Sequence, residues 1–321
     1  MTTKDLSKDP VKSLMIIVSD MISRTDPGIK ILREFISREK DLYILYSGNE
    51  FTIALSFYLL MKSLMFRKKI FIEEIERFSL FMAPYDEGFE PSLIIISSEE
   101  NYKKIFRYIP SLVFTGHEIL MIRPKTDHEI MYKEMITSID IEEKDNYDLY
   151  LIYLLLGAGI DYIKKISSSP RVERLYREIH SLADLIKDLY EKYGETLHKI
   201  SNLLNQDLYL DIISTPSAKI FAEIIRKIRE RNKLKADILV LDYFEEKFVR
   251  KDSYTIVVYT EVEKQMISEI IGRSVLYKKD KLIDLYLNTD PLISPLYFAL
   301  LAKFLERICA NISIKDHTKL L

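Results

Sequence analysis

The chain has almost no cysteine and little glycine, histidine or glutamine. Of its 321 residues one is Cys, five are His, eight are Gly and none is Trp. The lone Cys309 excludes an internal disulfide and any multi-cysteine metal site. Its neighbours Leu305, Ile308 and Ile312 mark it as a buried thiol rather than a reactive one. The histidines stand at no metal-ligand spacing, and neither a phosphate-loop motif nor a Ser-His-Asp set is present. No metal and no cofactor is therefore expected. A net charge of −2, with no basic block interleaved with aromatics, gives no electrostatic basis for binding nucleic acid. The most apolar run, Leu149–Ile160, falls short of the ~20 residues a membrane span needs. Met1–Pro10 is polar, unlike a signal peptide. These absences predict a soluble, cytoplasmic protein without a membrane partner.

What is present supports a sizeable core. Apolar residues make up 48% of the chain, and the length suffices for two ordinary domains. Lys, Glu, Ile and Tyr are abundant, and the only glutamines are Gln206 and Gln265. That bias fits a protein working at high temperature, where surface ion-pair networks are more useful.

In chain order, Val11–Ser23 and Pro27–Ser37 read as two helices punctuated by Asp26-Pro27-Gly28. Leu42–Leu64 reads as a buried strand, a polar turn at Ser47-Gly48-Asn49-Glu50, and a helix. Strands are expected at Ile70–Glu73, Ser92–Ser98, Glu118–Ile122 and Thr137–Ile141, with a loop at Met82–Pro91 and a helix at Glu99–Tyr108. The unbroken apolar run of Ser92–Ser98 suits a strand covered on both faces. Tyr147–Ile163 reads as an apolar helix ended by Ser167-Ser168-Ser169-Pro170. Val172–Leu204 reads as a long helix interrupted near Gly194.

The same order then returns. Strands are expected at Leu208–Ser214, Tyr254–Tyr259, Ser274–Tyr277 and Ile283–Leu287, and helices at Ser217–Asn232, Val262–Ile271 and Pro291–Ala310, with Asn311–Leu321 as a tail. First strands start at 42 and 208, third strands at 92 and 254, and the next pair at 118 and 274. Equal order with slowly shrinking offsets indicates two copies of one α/β unit. Strands separated by helices form mainly parallel sheets, whose ligands bind at the strands' carboxyl ends. The boundaries follow: 1–40 as N-terminal helices, 41–169 as a first domain, 170–321 as a second.

This pattern resembles the tandem sugar isomerase (SIS) domain family, whose members include the isomerase half of glucosamine–fructose-6-phosphate aminotransferase and archaeal phosphosugar isomerase- and deaminase-like proteins. The resemblance runs from about Ile29 to Leu321. Ser47-Gly48-Asn49-Glu50 stands where the family has a Gly–Thr–Ser type turn. Phe71–Phe78 (FIEEIERF) matches its acidic–aromatic segment, and Ser97-Ser98-Glu99-Glu100-Asn101 its Ser–x–Ser–Gly–x–Thr turn. Asp290–Ile308 matches the Pro-rich entry into the last helix. The resemblance implies two three-layer αβα domains, a sugar or sugar phosphate as small-molecule partner, and a homodimer. It further implies substrate contacts from Ser47, Gly48, Asn49, Thr52, Ser97 and Ser98. The family's catalytic glutamate maps to Glu230 and a nearby lysine to Lys227. No histidine stands near Glu245-Glu246-Lys247, where the ring-opening histidine is expected, and the tail ends about where the family's catalytic lysine would come.

Plainer readings compete. The hydroxyl residues also suit helix caps and turns. Glu230, flanked by Arg226, Arg229, Arg231 and Lys233, also suits a solvated charged face. Glu50, Glu99 and Glu100 lie where a phosphate would be held. Two like charges at ~4 Å repel by about 1 kcal/mol in water and ~4 kcal/mol at an effective dielectric of 20. Three functions follow in order: an isomerase-like protein that binds a carbohydrate derivative with an altered catalytic set, an active aldose–ketose isomerase or aminosugar-phosphate deaminase, and a non-catalytic structural or regulatory dimer.

Overall fold

The computed structural model describes residues 9–65, 68–85, 90–98, 100–126, 132–231, 234, 237–240, 253–268, 272 and 281–318. The chain divides into two compact units. The first is Met21–Arg177, and the second joins the chain up to Asp20 with Glu178–Leu321. Two helices, α1 (Pro10–Ile36) and α6 (Pro170–His180), run across the division.

The first unit holds β1 (Leu42–Tyr46), α2 (Phe51–Leu64), β2 (Ile70–Glu74), β3 (Ser92–Ile96), α3 (Tyr102–Ile105), α4 (Ile109–Phe114), β4 (Glu118–Pro124), β5 (Ile136–Ile141) and α5 (Tyr147–Ile166). Its sheet is parallel throughout, in the order β2-β1-β3-β4-β5. Both faces are covered. Tyr43, Leu45, Leu93, Ile95, Ile119 and Met121 pack with Ile105 of α3 and Ile109 and Leu112 of α4. The alternate residues Leu42, Ile44, Ile94, Ile96, Leu120 and Ile122 are equally buried on the other face. A strand buried on both sides reads as a continuous apolar run, which is why SLIII was legible.

The second unit holds α7 (Leu182–Leu204), β6 (Leu210–Ser214), α8 (Lys219–Arg231), β7 (Asp237–Val240), β8 (Tyr254–Thr260), β9 (Leu282–Leu287) and α9 (Ser294–Thr318). Its parallel sheet has the order β7-β6-β8-β9. β7, β6, β8 and β9 thus repeat the placement of β2, β1, β3 and β4. The architecture is α/β, with two three-layer αβα units as expected.

Local expectations need correction in several places. The two N-terminal helices are one, with Pro27 inside it. Gly28 serves close packing rather than a turn: a Cβ there would lie 2.7 Å from Leu154 Cδ1 and 2.9 Å from Ile139 Cγ2. Of the expected helix Glu99–Tyr108 only Tyr102–Ile105 is helical; a separate helix, α4, begins at Ile109 with Pro110 in its first turn, whose ring cannot continue a preceding one. The long helix breaks at Ser181, not Gly194. Gly194 remains helical beneath the Tyr190 ring, which packs on Phe304 of α9 at 5.1 Å. The segment Ala83–Tyr85, expected as loop, closes a helical stretch that begins at Ile75. The tail is helical to Thr318. Strand β7 was not anticipated, since its four residues, DILV, carry little periodicity. The expected strand Ser274–Tyr277 lies outside the described residues.

Candidate functional site

The strand order places a crevice in the first unit. From β1 the chain crosses to β2 on one side of the sheet, then returns to β3 on the other. The turns after β1 and β3 therefore diverge at their carboxyl ends, the position where open parallel sheets take ligands. At the β1 turn Ser47 is extended, Gly48 has φ +63°, and Gly48–Glu50 forms one turn of 3-10 helix leading into α2. Only glycine adopts that φ without steric cost.

One side chain joins the two turns. The Asn101 amide, on the β3 side, donates to the Ser47 carbonyl and to Glu50 Oε2, both at 3.0 Å. Glu50 is also hydrogen-bonded by Ser98. The Tyr147 hydroxyl, from the first turn of α5, donates to the Ser97 carbonyl at 2.5 Å.

The electrostatics centre on Glu50, which is only 5% exposed. Burial pushes its carboxyl above the usual range. The hydrogen bonds from Ser98 and Asn101 offset part of this, and the charge of Asp148 adds to it. Tyr147 is held well above the ordinary phenol range, mainly by burial and secondarily by the Glu50 charge. Ser47 is fully buried, and its Oγ has no hydrogen-bond partner among the described residues.

The residues expected from the sequence divide accordingly. Ser47, Gly48 and Ser98 sit in the crevice. Ser97 is fully buried, and its hydroxyl turns back onto the Ser98 carbonyl at 3.1 Å. Thr52 is buried in the first turn of α2, where its carbonyl accepts from the Ser56 hydroxyl at 2.9 Å. Asn49 lies in the 3-10 turn, with its side chain outside the described residues, as is Glu99. Two participants were missed. Asn101 ended the motif match but was not assigned a role. Arg123, a buried charge at the carboxyl end of β4, holds Asp140 at 2.7 Å and donates to the Tyr102 hydroxyl. An arginine in the apolar run EILMIRP was the available signal.

The second unit fills the corresponding place with its own side chain. Glu263 follows Thr260 by three residues, as Asn101 follows Ser98. Its Oε2 accepts from the hydroxyls of Thr215 and Thr260, both at 2.7 Å, from the Ser217 hydroxyl, and from the Thr260 N–H at 3.1 Å. Thr215 and Thr260 are fully buried. Thr260 and Glu263 also form a reciprocal helix cap.

Glu230 and Lys227 lie elsewhere in that unit. The side chain of neighbouring Arg229 donates to the carbonyls of Gln206 at 2.7 Å and Leu208 at 2.6 Å, just before β6 begins. This turn of α8 is therefore at the amino edge of the sheet, opposite the carboxyl ends where Glu263 sits. Glu230 is exposed and pairs with Arg226 at 3.6 Å, while Lys227 is half-buried. Among the described residues no cluster of His, Cys, Asp and Glu could hold a metal ion, and no helix is long and apolar enough to cross a membrane.

No protein-family model matches the chain, and no curated protein matches it in sequence. Solved structures do match. A candidate phosphosugar isomerase of Bacillus subtilis superposes with a TM-score of 0.67 at 10% identity, over 91% of this chain and 94% of its own. The C-terminal domain of glucosamine-fructose-6-phosphate aminotransferase from Francisella tularensis gives 0.66 at 12% identity, over 97% and 98%. Tagatose-6-phosphate ketose/aldose isomerase of Escherichia coli gives 0.62 at 9%, over 96% and 93%. At such identities the likeness speaks for the architecture: the chain has the tandem sugar isomerase (SIS) domain fold.

Proposed function

We propose that the protein binds a carbohydrate derivative in the crevice between the β1 and β3 turns, as an isomerase-like protein with an altered catalytic set. The observation that carries this reading is the Asn101 bridge. It holds Ser47–Glu50 and Ser98 together at the point where the sheet's connections diverge. The sugar phosphates named for the solved relatives support the ligand class. The altered catalytic set is supported by the place of Glu230, exposed, ion-paired and at the amino edge of its sheet.

A thermal-shift panel of hexoses, amino sugars and their phosphates tests binding. A ligand at a hundred times its Kd stabilises by about 2.7 kcal/mol, a rise of roughly 5–10 °C for a unit of this size. Gly48→Ala is the site variant. Its Cβ would require a left-handed backbone costing about 1–2 kcal/mol and would stand 3.3 Å from Asn101 Nδ2. We expect this variant to fold and to bind about tenfold more weakly. A panel that shifts nothing at millimolar ligand overturns the reading.

The enzymatic alternative uses Glu230 as base with Lys227 beside it. Aldose–ketose interconversion that survives Glu230→Gln removes that assignment. A homodimer belongs to the same proposal, supported by exposed Leu80, Phe81 and Tyr85 within one segment, and sedimentation at equilibrium checks it.

A further inference from the structure

Each unit holds a carboxylate where the turns of its two central strands diverge, Glu50 from the turn after β1 in the first and Glu263 from the turn after β8 in the second, and the two are satisfied differently. Glu263 Oε2 collects three hydroxyls and a backbone N–H, a full complement of donors. Glu50 receives the Asn101 amide, the Ser98 hydroxyl and its own backbone N–H. Among the described residues no cation pairs with it, and the other side-chain charge acting on it is a second carboxylate, Asp148. In the same turn the fully buried Ser47 Oγ has no hydrogen-bond partner among the described residues.

A buried carboxylate without a counter-ion is costly, and so is a buried hydroxyl without a hydrogen bond. One kind of group relieves both: a cation that carries several donors, flanked by hydroxyls. A phosphate does the reverse. Its oxygens need the N–H and hydroxyl donors that Glu50 already uses, and its charge repels both carboxylates.

Resting on the reading of this crevice as a sugar-derivative site, we infer that its ligand is an amino sugar lacking a phosphate, whose ammonium group pairs with Glu50 and whose neighbouring hydroxyl meets Ser47 Oγ. Asp148 adds to the negative field that selects the cation. Asn101 positions Glu50 and holds the two turns at the spacing the ligand needs.

Isothermal titration calorimetry of the full chain at about pH 6.5, below the ordinary amine range, tests this. The probes are glucosamine and galactosamine, their parent hexoses, their N-acetyl forms and the hexose 6-phosphates. At least one free amino sugar is expected to bind about tenfold more tightly than its parent hexose and its N-acetyl form. Glu50→Gln should remove that preference, so that the amino sugar and its parent hexose bind within about twofold of each other. Asp148→Asn is the second variant, expected to weaken the preference severalfold, and it decides the matter if Glu50→Gln does not fold. Tighter binding of a hexose 6-phosphate than of its hexose overturns the inference and leaves the sugar-site reading intact. Equal binding of amino sugar and hexose does the same. Binding by none of the probes overturns both.

Discussion

Glu50 shows what a single residue adds. In the sequence it stands in the wrong place for a phosphate-binding turn. Folded, it is buried and held by Asn101 and Ser98, with its carboxyl raised by desolvation. The consequence for stability has a definite sign. A carboxyl whose folded pKa is raised above the unfolded value binds its proton more tightly in the native state. Its contribution to stability is therefore full below the unfolded value of 4.5 and is lost as pH rises through the folded value. Above the folded value that contribution is gone. Glu50→Gln, which keeps the shape and the acceptor, should raise the urea midpoint at pH 7 and flatten this fall. An unchanged pH profile would show that Glu50 is solvated and ordinary.

Arg229 does comparable work for an element. It is 1% exposed and donates to the carbonyls of Gln206 and Leu208, with longer contacts to Leu203 and Leu204. It thus caps α7 and fixes the approach to β6, because helix ends leave carbonyls without intrahelical partners. Arg229→Ala should cost about 3 kcal/mol, from charge-assisted hydrogen bonds at ~1.5–3 kcal/mol each. Arg229→Lys should recover part of that loss, as read by urea denaturation. From the sequence, Arg229 was one more charge on a basic helix face. Other misreadings at this scale share the cause. Pro27-Gly28 looked like punctuation until the close approach of Leu154 and Ile139 was visible. Gly194 looked like a break until Tyr190 covered it. Local propensity lost each time to packing between elements distant in sequence.

At the scale of the molecule the duplication decides how many ligands bind. The second unit's cradle is filled by Glu263, whose Oε2 already takes the hydroxyls of Thr215, Ser217 and Thr260. One ligand per chain is therefore expected. Titration calorimetry that finds two equivalent sites would mean that Glu263 leaves its cradle readily.

The duplicated α/β order, the buried strands and the polar turns after β1 and β3 were all legible in the residues alone. Apolar runs and helical spacing are local patterns that the backbone must satisfy wherever the segment lies. Ser47, Gly48 and Ser98 could be placed at a strand's carboxyl end for the same reason. Tertiary structure alone decided who satisfies whom. Asn101 reaches Ser47 across 54 residues of chain and Glu263 reaches Ser217 across 46. No local pattern encodes such pairs, because a hydrogen bond between neighbouring strands depends on their register and the buried volume around them. Those pairings distinguish the cradle that Glu263 fills in one unit from the one that Asn101 bridges in the other.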